Sequence, residues 1–254
     1  MRCLLVALAV LAVPLPASAG TNDLLTRALV LDPGEVIAQV AVELSVVAGR
    51  FARPLSIAPD AWIGVTPRLT IGLVHSNGSL DQIDALASFC FRGDARSCDR
   101  VYRGSGVDVR WSWREGSLAV APRGRLLLRD VDPWKPAITV GALARWTRGR
   151  YAITTDPYLR LGLANRALGN RAALVVPIWL GIQPTWRWLI SLHTGWDAEL
   201  ATWRDGWHVP FALEVVARAT DRLDIGLGAG FPSLGGPQNN IKERAMSVTL
   251  AYRR

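Results

Sequence analysis

A two-residue alternation of apolar and polar side chains runs through most of this chain and restricts the fold more than any other feature. In the segment GVDVRWSWR, Val107, Val109, Trp111 and Trp113 fall on one face and polar side chains fall on the other. Successive side chains of a β-strand point to opposite faces, so this spacing predicts a strand with one apolar and one polar side. Helical periodicity is weak, and the sequence therefore predicts an all-β fold.

Twelve segments carry this alternation, and most of them contain about ten residues, the length that a tilted strand needs to cross the hydrocarbon core of a bilayer. The segments are 35–47, 55–66, 69–76, 105–114, 118–129, 137–148, 151–164, 172–183, 187–197, 207–218, 223–231 and 243–253. The connections between them are alternately tight and long. This layout predicts a single closed antiparallel up-and-down transmembrane β-barrel of about twelve strands over residues 35–254, because a closed barrel leaves no unpaired backbone edge in lipid.

Two further patterns bear on this barrel. Aromatic residues cluster near both ends of the predicted strands, as expected for rings at the two membrane interfaces. Five prolines fall inside predicted strands, where they cannot donate to the hydrogen-bond ladder; they are Pro59, Pro122, Pro157, Pro177 and Pro210. Some of these prolines must lie at bulges, or the predicted strand boundaries are wrong there, so the barrel is expected to have ten to twelve strands.

The start of the chain predicts export. Arg2, an apolar run over residues 4–13 and the small residues Ala17-Ser18-Ala19 have the order of a secretory signal peptide, here residues 1–19. Residues 20–34 are then expected to form a short periplasmic N-terminal segment. In an oxidising compartment Cys90 and Cys98 are expected to form a disulfide, with metal binding by the two thiols as the alternative.

The formal net charge of the whole chain is +8, and almost all of the basic residues are arginines. They form no block and no basic-aromatic cluster, so no nucleic-acid partner is expected. No residue spacing resembles a zinc or calcium site or a phosphate-binding glycine loop, so no metal and no cofactor are expected.

As a whole, the signal peptide, the alternating segments and the alternating connections resemble Gram-negative outer-membrane β-barrel proteins of the porin type. The resemblance covers essentially the entire mature sequence. It implies an outer-membrane location, contact with outer-membrane lipid and insertion by the barrel-assembly machinery. Members of this class commonly end on an aromatic residue; here Tyr252 occupies the last strand, but Arg253 and Arg254 follow it.

Alternation places most charged strand residues on the lumen side, where they are expected to line a pore. The basic positions are Arg110, Arg114, Arg123, Arg125, Arg145 and Arg160, and the acidic positions are Glu43, Asp60, Glu214 and Asp224. Closure of the barrel brings the first and last strands together, so a basic wall would face an acidic wall. Such walls either line a water-filled channel or pair across a narrow lumen and plug it.

The principal hypothesis is a narrow passive channel for small solutes with anion preference and no catalytic residues. A second hypothesis is a lipid-acting hydrolase, because His75, Ser76 and Asn77 resemble the His-x-Ser-Asn signature of outer-membrane phospholipases and lipid A deacylases. Adjacent residues on a strand point to opposite faces, which separates the His75 imidazole from the Ser76 hydroxyl. A third hypothesis is a non-catalytic structural or surface barrel that binds a partner through the loop 77–104.

Overall fold

The computed structural model of the protein describes residues 24–75, 89–92 and 101–254, and in these ranges nearly all regular structure is β. The strands are β1 (Val36–Ser45), β2 (Leu55–Thr66), β3 (Leu69–Val74), β4 (Phe89–Arg92), β5 (Ser105–Trp111), β6 (Leu118–Val131), β7 (Trp134–Arg148), β8 (Tyr151–Thr155), β9 (Tyr158–Gly162), β10 (Ala173–Thr185), β11 (Trp188–Glu199), β12 (Trp207–Arg218), β13 (Leu223–Gly235) and β14 (Ala245–Arg253). Two short 3-10 helices lie at Arg166–Leu168 and Leu200–Thr202. None of the helical segments in these ranges has the length and apolar character of a membrane-spanning helix.

These strands form one closed antiparallel barrel. β1 pairs with β14 on one side and with β2 on the other, and this pairing closes the sheet. β8 and β9 lie end to end between β7 and β10 and together make one barrel strand. β4 pairs with the first residues of β2, beyond the end of β3, and Phe89 forms an isolated bridge with Tyr102. The barrel therefore has twelve strands, as the alternation predicts.

The observed strands follow the predicted segments closely, with one clear difference in a connection. The sequence predicts a long loop over residues 130–136, whereas β6 and β7 continue to a two-residue turn and Val131 pairs with Trp134. The apolar–polar alternation stops before these strands end because their last residues extend beyond the apolar band. The predicted tight turns, including those at 149–150 and 220–222, are present.

The outward face is apolar and the inward face is polar. On β5, Val107 and Val109 are 43% and 40% exposed, whereas Asp108 between them is completely buried. We call the end of the barrel with the turns at 67–68, 149–150 and 220–222 the tight-turn end. Exposed aromatic rings lie at this end; they are Trp111, Trp113, Trp146, Tyr151, Trp186, Trp188 and Tyr252. Exposed Trp134 and Trp203 lie at the opposite end. An apolar band between two aromatic girdles is the surface of a membrane-spanning barrel.

All five prolines lie where the ladder is interrupted. Pro177 lies opposite the junction of β8 and β9, and Pro157 lies in that junction. Pro210 lies at a register shift between β12 and β13. On β2, Pro59 lies between the residues that pair with β4 and those that pair with β3. Pro122 lies just beyond the last β5–β6 pair, Arg110 with Arg123, so the prolines leave the twelve-strand count intact.

The chain before β1 follows an unexpected course. Its described part, residues 24–34, begins inside the barrel at the tight-turn end instead of lying wholly below it. Leu24, Leu25, Val30 and Leu31 are buried. Alternation could not indicate this, because the segment is not a strand. That the tight-turn end of the barrel faces the periplasm stays a prediction.

Two other sequence predictions concern residues outside the described ranges. The signal peptide, residues 1–19, lies entirely outside them. Cys90 is buried in β4, but Cys98 is not described, so the disulfide between them stays a prediction.

Candidate functional site

Three of the predicted lumen arginines converge on two aspartates, and we call these five residues the guanidinium cluster: Arg110, Arg123, Arg125, Asp108 and Asp156. Arg123 donates from Nε to Asp108 Oδ1 (2.7 Å) and from Nη2 to Asp108 Oδ2 (2.9 Å), and its Nη1 donates to Asp156. Arg110 Nε donates to Asp108 Oδ2 at 2.9 Å. Arg125 Nη2 lies 3.5 Å from Asp156 Oδ2. The cluster therefore holds three positive and two negative groups.

Aromatic side chains support the cluster from two sides. The Trp62 indole Nε1 donates to Asp108 Oδ2 at 2.8 Å, and the Arg110 guanidinium lies 4.9 Å from the Trp62 ring centroid. The Arg125 guanidinium lies 4.5 Å from the Tyr158 ring centroid. Stacking on a ring holds a planar guanidinium in place without neutralising its charge.

Two glycines make room for contacts that extend across a neighbouring strand. Gly72 of β3 pairs with Trp62 on β2 and with Asp108 on β5, and a β-carbon at Gly72 would lie 2.1 Å from Trp62 Cδ1. Gly141 of β7 pairs with Arg123 and Tyr158, and a β-carbon there would lie 2.1 Å from the carbonyl oxygen of Pro157. The missing side chains let Trp62 and Asp156 reach the cluster.

The other predicted basic residues have different surroundings. Arg160 is buried on β9, and Arg145 on β7 donates from Nη2 to the carbonyl oxygen of Arg27. Arg114 is exposed and lies beyond the end of β5, near the tight turn. It is therefore not part of the guanidinium cluster.

The predicted acidic residues lie on strands β12, β13, β1 and β2, which closure makes neighbours around β14. Glu43 and Asp60 are buried, and Asp60 Oδ1 accepts the backbone N–H of His75 at 2.6 Å. Glu214 Oε2 lies 3.1 Å from His193 Nε2. Asp224 binds the guanidinium of Arg27. These four carboxylates therefore lie on neighbouring strands, as predicted from closure of the barrel, and their role in lining a pore stays a prediction.

Open space separates the two walls. A cavity of about 350 Å³ is bordered by Trp62, Arg110, Arg123 and Asp156 on one side and by Ser191, His193 and Glu214 on the other. Because the carboxylates of the guanidinium cluster come from β5 and the β8–β9 junction, its ion pairs run along the wall and do not cross the lumen. The arrangement can hold a small polar solute between a basic and a mixed acidic surface.

The residues of the hydrolase hypothesis are only partly described. His75 follows β3, its Nδ1 contacts the carbonyl oxygen of Pro59, and its ring centroid lies 5.8 Å from that of Phe89. Ser76 and Asn77 lie outside the described residues. Within the described ranges, no group of three or more His, Cys, Asp or Glu residues is placed to hold a metal ion.

Asp108 and Asp156 were absent from the predicted pore-lining residues although they organise the cluster. A signal for Asp108 exists, because it falls on the polar face of the alternating segment 106–114. Asp156 directly precedes Pro157 within a predicted strand, which hides its position at a strand interruption. Its contact with Arg123 joins residues 33 positions apart in the sequence, a separation that alternation cannot indicate.

The fold and outer surface define this chain as an outer-membrane β-barrel with the architecture of a porin. Among solved structures, a NanC porin matches with a TM-score of 0.61 at 6% identity, over 85% of this chain and 98% of the NanC chain. A KdgM porin in complex with disordered oligogalacturonate matches with a TM-score of 0.57 at 6% identity, over the same shares of the two chains. At this identity the likeness concerns the fold. No family model matches the chain, and the search of curated proteins found no matching relative.

Proposed function

We propose that this barrel is a narrow passive channel for small anionic solutes. The guanidinium cluster carries the proposal: Arg110, Arg123 and Asp156 border an open cavity of about 350 Å³, and the cluster as a whole holds three guanidinium groups and two carboxylates. Charged groups that line a confined aqueous passage attract ions of opposite sign and set its selectivity. The excess positive charge on this wall favours anions.

The pairing pattern keeps this charge available to a solute. Asp108 and Asp156 bind arginines from nearby strands of the same wall, so the pairs leave the central space open. Arg110 and Arg123 border the cavity directly. A passing anion exchanges part of its hydration shell for guanidinium N–H groups, which are strong donors to carboxylates and phosphates.

The opposite wall restrains rather than abolishes this preference. Of its four carboxylates, Asp224 is paired with Arg27, and Glu214 lies beside His193. The facing charges create a transverse field that orients dipolar solutes in the lumen. Fold similarity to the two porins, one of them in complex with an acidic oligosaccharide, supports the same reading.

The pore-lining residues that support the channel most directly are Arg110 and Arg123, followed by Arg125, Arg160, Glu43, Asp60 and Glu214. This channel has no enzymatic role and needs no cofactor.

Outer-membrane lipid surrounds the apolar band, and the barrel-assembly machinery recognises β14. On β14 the outward residues Met246, Leu250 and Tyr252 are all exposed, while Arg253 binds Glu35 at 2.6 Å and so leaves Tyr252 at the outer surface.

Liposome swelling tests this proposal. Vesicles that contain the purified barrel are placed in isotonic solutions of two solutes of similar size, one an anionic sugar acid and the other a neutral sugar. We expect faster swelling with the anionic solute. In the Arg110→Gln variant this difference should shrink about twofold or more, because one cavity-lining charge is lost while Asp108 keeps Arg123.

Arg222→Gln is the matched control, because Arg222 is exposed in the turn between β12 and β13 and lies outside the cavity. It should behave as the parent does. Equal swelling with both solutes in the parent, or no swelling at all, would contradict the proposal.

A further inference from the structure

We infer that residues 24–32 form a plug that crosses the tight-turn mouth of the barrel and limits passage through it. The role of this N-terminal plug in passage rests on the proposed function, since the plug regulates the same channel. The segment contacts barrel strands that lie far apart around the ring.

The plug extends across most of the barrel diameter. At one end the backbone N–H of Leu25 donates to Gln183 Oε1 on β10 at 3.0 Å. At the other end the backbone N–H of Leu31 donates to Thr70 Oγ1 on β3 at 2.7 Å. Four barrel strands separate β3 from β10 on one side and six separate them on the other. The two anchors therefore lie on nearly opposite sides of the lumen.

The middle of the plug is held from both flanks. The guanidinium of Arg27 forms two contacts with the carboxylate of Asp224 on β13, one of them from Nη2 to Oδ1 at 3.1 Å. From the other flank, Arg145 on β7 donates to the carbonyl oxygen of Arg27. A charge-assisted bidentate pair fixes geometry as well as position. The plug is thus tied to β3, β7, β10 and β13.

The barrel wall is shaped to receive the plug. A β-carbon at Gly64 on β2 would lie 2.0 Å from the carbonyl oxygen of Asp32 and 2.6 Å from that of Leu31. A β-carbon at Gly181 on β10 would lie 3.2 Å from Leu25 Cδ2. Small residues at these two positions therefore allow the plug backbone and the Leu25 side chain to approach the wall closely.

A turn from Asp32, the last residue of the plug, to Glu35 connects the plug to the barrel. The backbone N–H of Glu35 donates to the carbonyl oxygen of Asp32 at 2.9 Å, and Gly34 adopts φ +81° between them. Gly34 N–H also donates to the carbonyl oxygen of Gly64 at 2.8 Å. Residues 24–31 can therefore leave the mouth while the turn from Asp32 to Glu35 stays on β2 and β1 stays paired with β2 and β14.

The position of the plug relative to the cavities gives it a role in passage. Leu24 and Arg27 line a second cavity of about 330 Å³ together with Asp224. This cavity shares His193 and Glu214 with the central cavity that Arg110 and Arg123 border. A solute that moves from the central cavity toward the tight-turn end therefore meets the plug. Release of the plug opens that end of the channel.

Two variants unseat the plug by different routes, and a cysteine reports its position. In the full-length exported protein carrying Val30→Cys, Arg27→Ala removes the pair with Asp224, and Gly64→Val places side-chain atoms where the plug backbone lies. We expect each change to speed maleimide labelling of the introduced cysteine about tenfold relative to the Val30→Cys variant alone. Labelling of the parent chain, which has only its own cysteines, gives the background that is subtracted. We also expect single-channel conductance to rise about twofold or more in both variants.

Arg222→Ala and Gly124→Val are the matched controls. Arg222 is exposed at the same end of the barrel, and a β-carbon at Gly124 would have no heavy atom closer than 3.9 Å. Both should label and conduct as the parent does. Labelling that stays slow in Arg27→Ala and Gly64→Val would overturn the plug. Faster labelling would also overturn it if the parent conducts and both variants have the same conductance as the parent. Faster labelling with no current in any variant would support the plug as a releasable segment and refute the proposed channel instead.

Discussion

Gly72 illustrates how the interior of this barrel depends on a missing side chain. The Trp62 indole passes over Gly72 to reach Asp108, and Asp108 in turn binds both Arg110 and Arg123. Asp108 is completely buried, so its carboxylate depends on these donors for compensation of the hydration that it has lost. The arrangement of Arg110 and Arg123 around Asp108 therefore depends on the absence of a side chain at Gly72.

A methyl group at Gly72 should separate Trp62 from Asp108. Gly72→Ala places a β-carbon 2.1 Å from Trp62 Cδ1, so the indole must move and its hydrogen bond to the carboxylate is lost. We expect the free energy of unfolding to fall by about 2 kcal/mol, the typical contribution of a hydrogen bond to a charged group. Urea unfolding of the barrel in detergent, followed by tryptophan fluorescence, measures the change.

Gly124→Ala makes the same chemical change at a roomy position on β6 and should leave stability within about 1 kcal/mol of the parent. Equal stabilities for the two alanine variants would mean that the contact between Trp62 and Asp108 contributes nothing measurable.

Residue-level features were predictable only where they follow from local alternation. The inward direction of Arg110, Arg123 and Arg125 follows directly from the two-residue period. Their binding of Asp108 and Asp156 does not, because it depends on which strands become neighbours and on gaps at Gly72 and Gly141. Arg114 was predicted to line the pore, but β5 ends before it and leaves it exposed at the turn.

At the scale of strands, the interruptions are as informative as the ladders. β8 and β9 are separated by Asp156 and Pro157, and Pro177 of β10 lies opposite this gap. Thr155 Oγ1 donates to the carbonyl oxygen of Pro177 at 2.7 Å, so a side chain replaces a ladder bond there. The gap also places Asp156 beside Arg123. One irregularity therefore accommodates two prolines and supplies a carboxylate to the cluster.

Proline should be tolerated at such gaps and rejected where the ladder is continuous. Val215 on β12 pairs with Ile190 on one side and Leu227 on the other. Val215→Pro removes a backbone donor within lipid and should cost about 3 kcal/mol or more, so that little folded barrel forms. The heat-modifiable band on an unboiled gel measures the folded fraction.

Pro177→Ala is the companion change and should keep that band, since the ladder is already interrupted opposite this position. Folded barrel at parental levels in Val215→Pro would argue against a continuous ladder through β12.

The strand order was predictable because the period, the strand length and the alternation of connections all indicate the same barrel. The N-terminal plug was not. Its contacts join residues 158 and 197 positions apart in the chain, and its backbone follows no two-residue period. The same limit applies to β4, a short strand within a loop that the sequence predicts to be long.

At the scale of the whole molecule, the surface and the interior have reversed polarity relative to a water-soluble protein. Leu213 and Leu227 are 49% and 56% exposed in the apolar band, while Arg125 and Asp156 are 3% and 1% exposed. This distribution is stable only where hydrocarbon surrounds the cylinder and water enters it.

A charge in the apolar band should therefore be costly. Leu213→Arg, on the outer face of β12, should destabilise the barrel by about 2–4 kcal/mol in lipid vesicles. Leu168→Arg makes the same substitution at a similarly exposed residue in the 3-10 helix of a long loop, and it should change stability by less than about 0.5 kcal/mol. Equal costs at the two positions would mean that the band does not contact lipid.

The zero-current potential of the parent protein in a planar bilayer tests the central claim most directly. With a tenfold gradient of potassium chloride across the membrane, a lumen with a net basic wall should give a potential displaced from zero toward the chloride equilibrium potential. A potential displaced toward that of potassium, or a membrane that stays silent after the barrel has inserted, would contradict an anion-conducting interior.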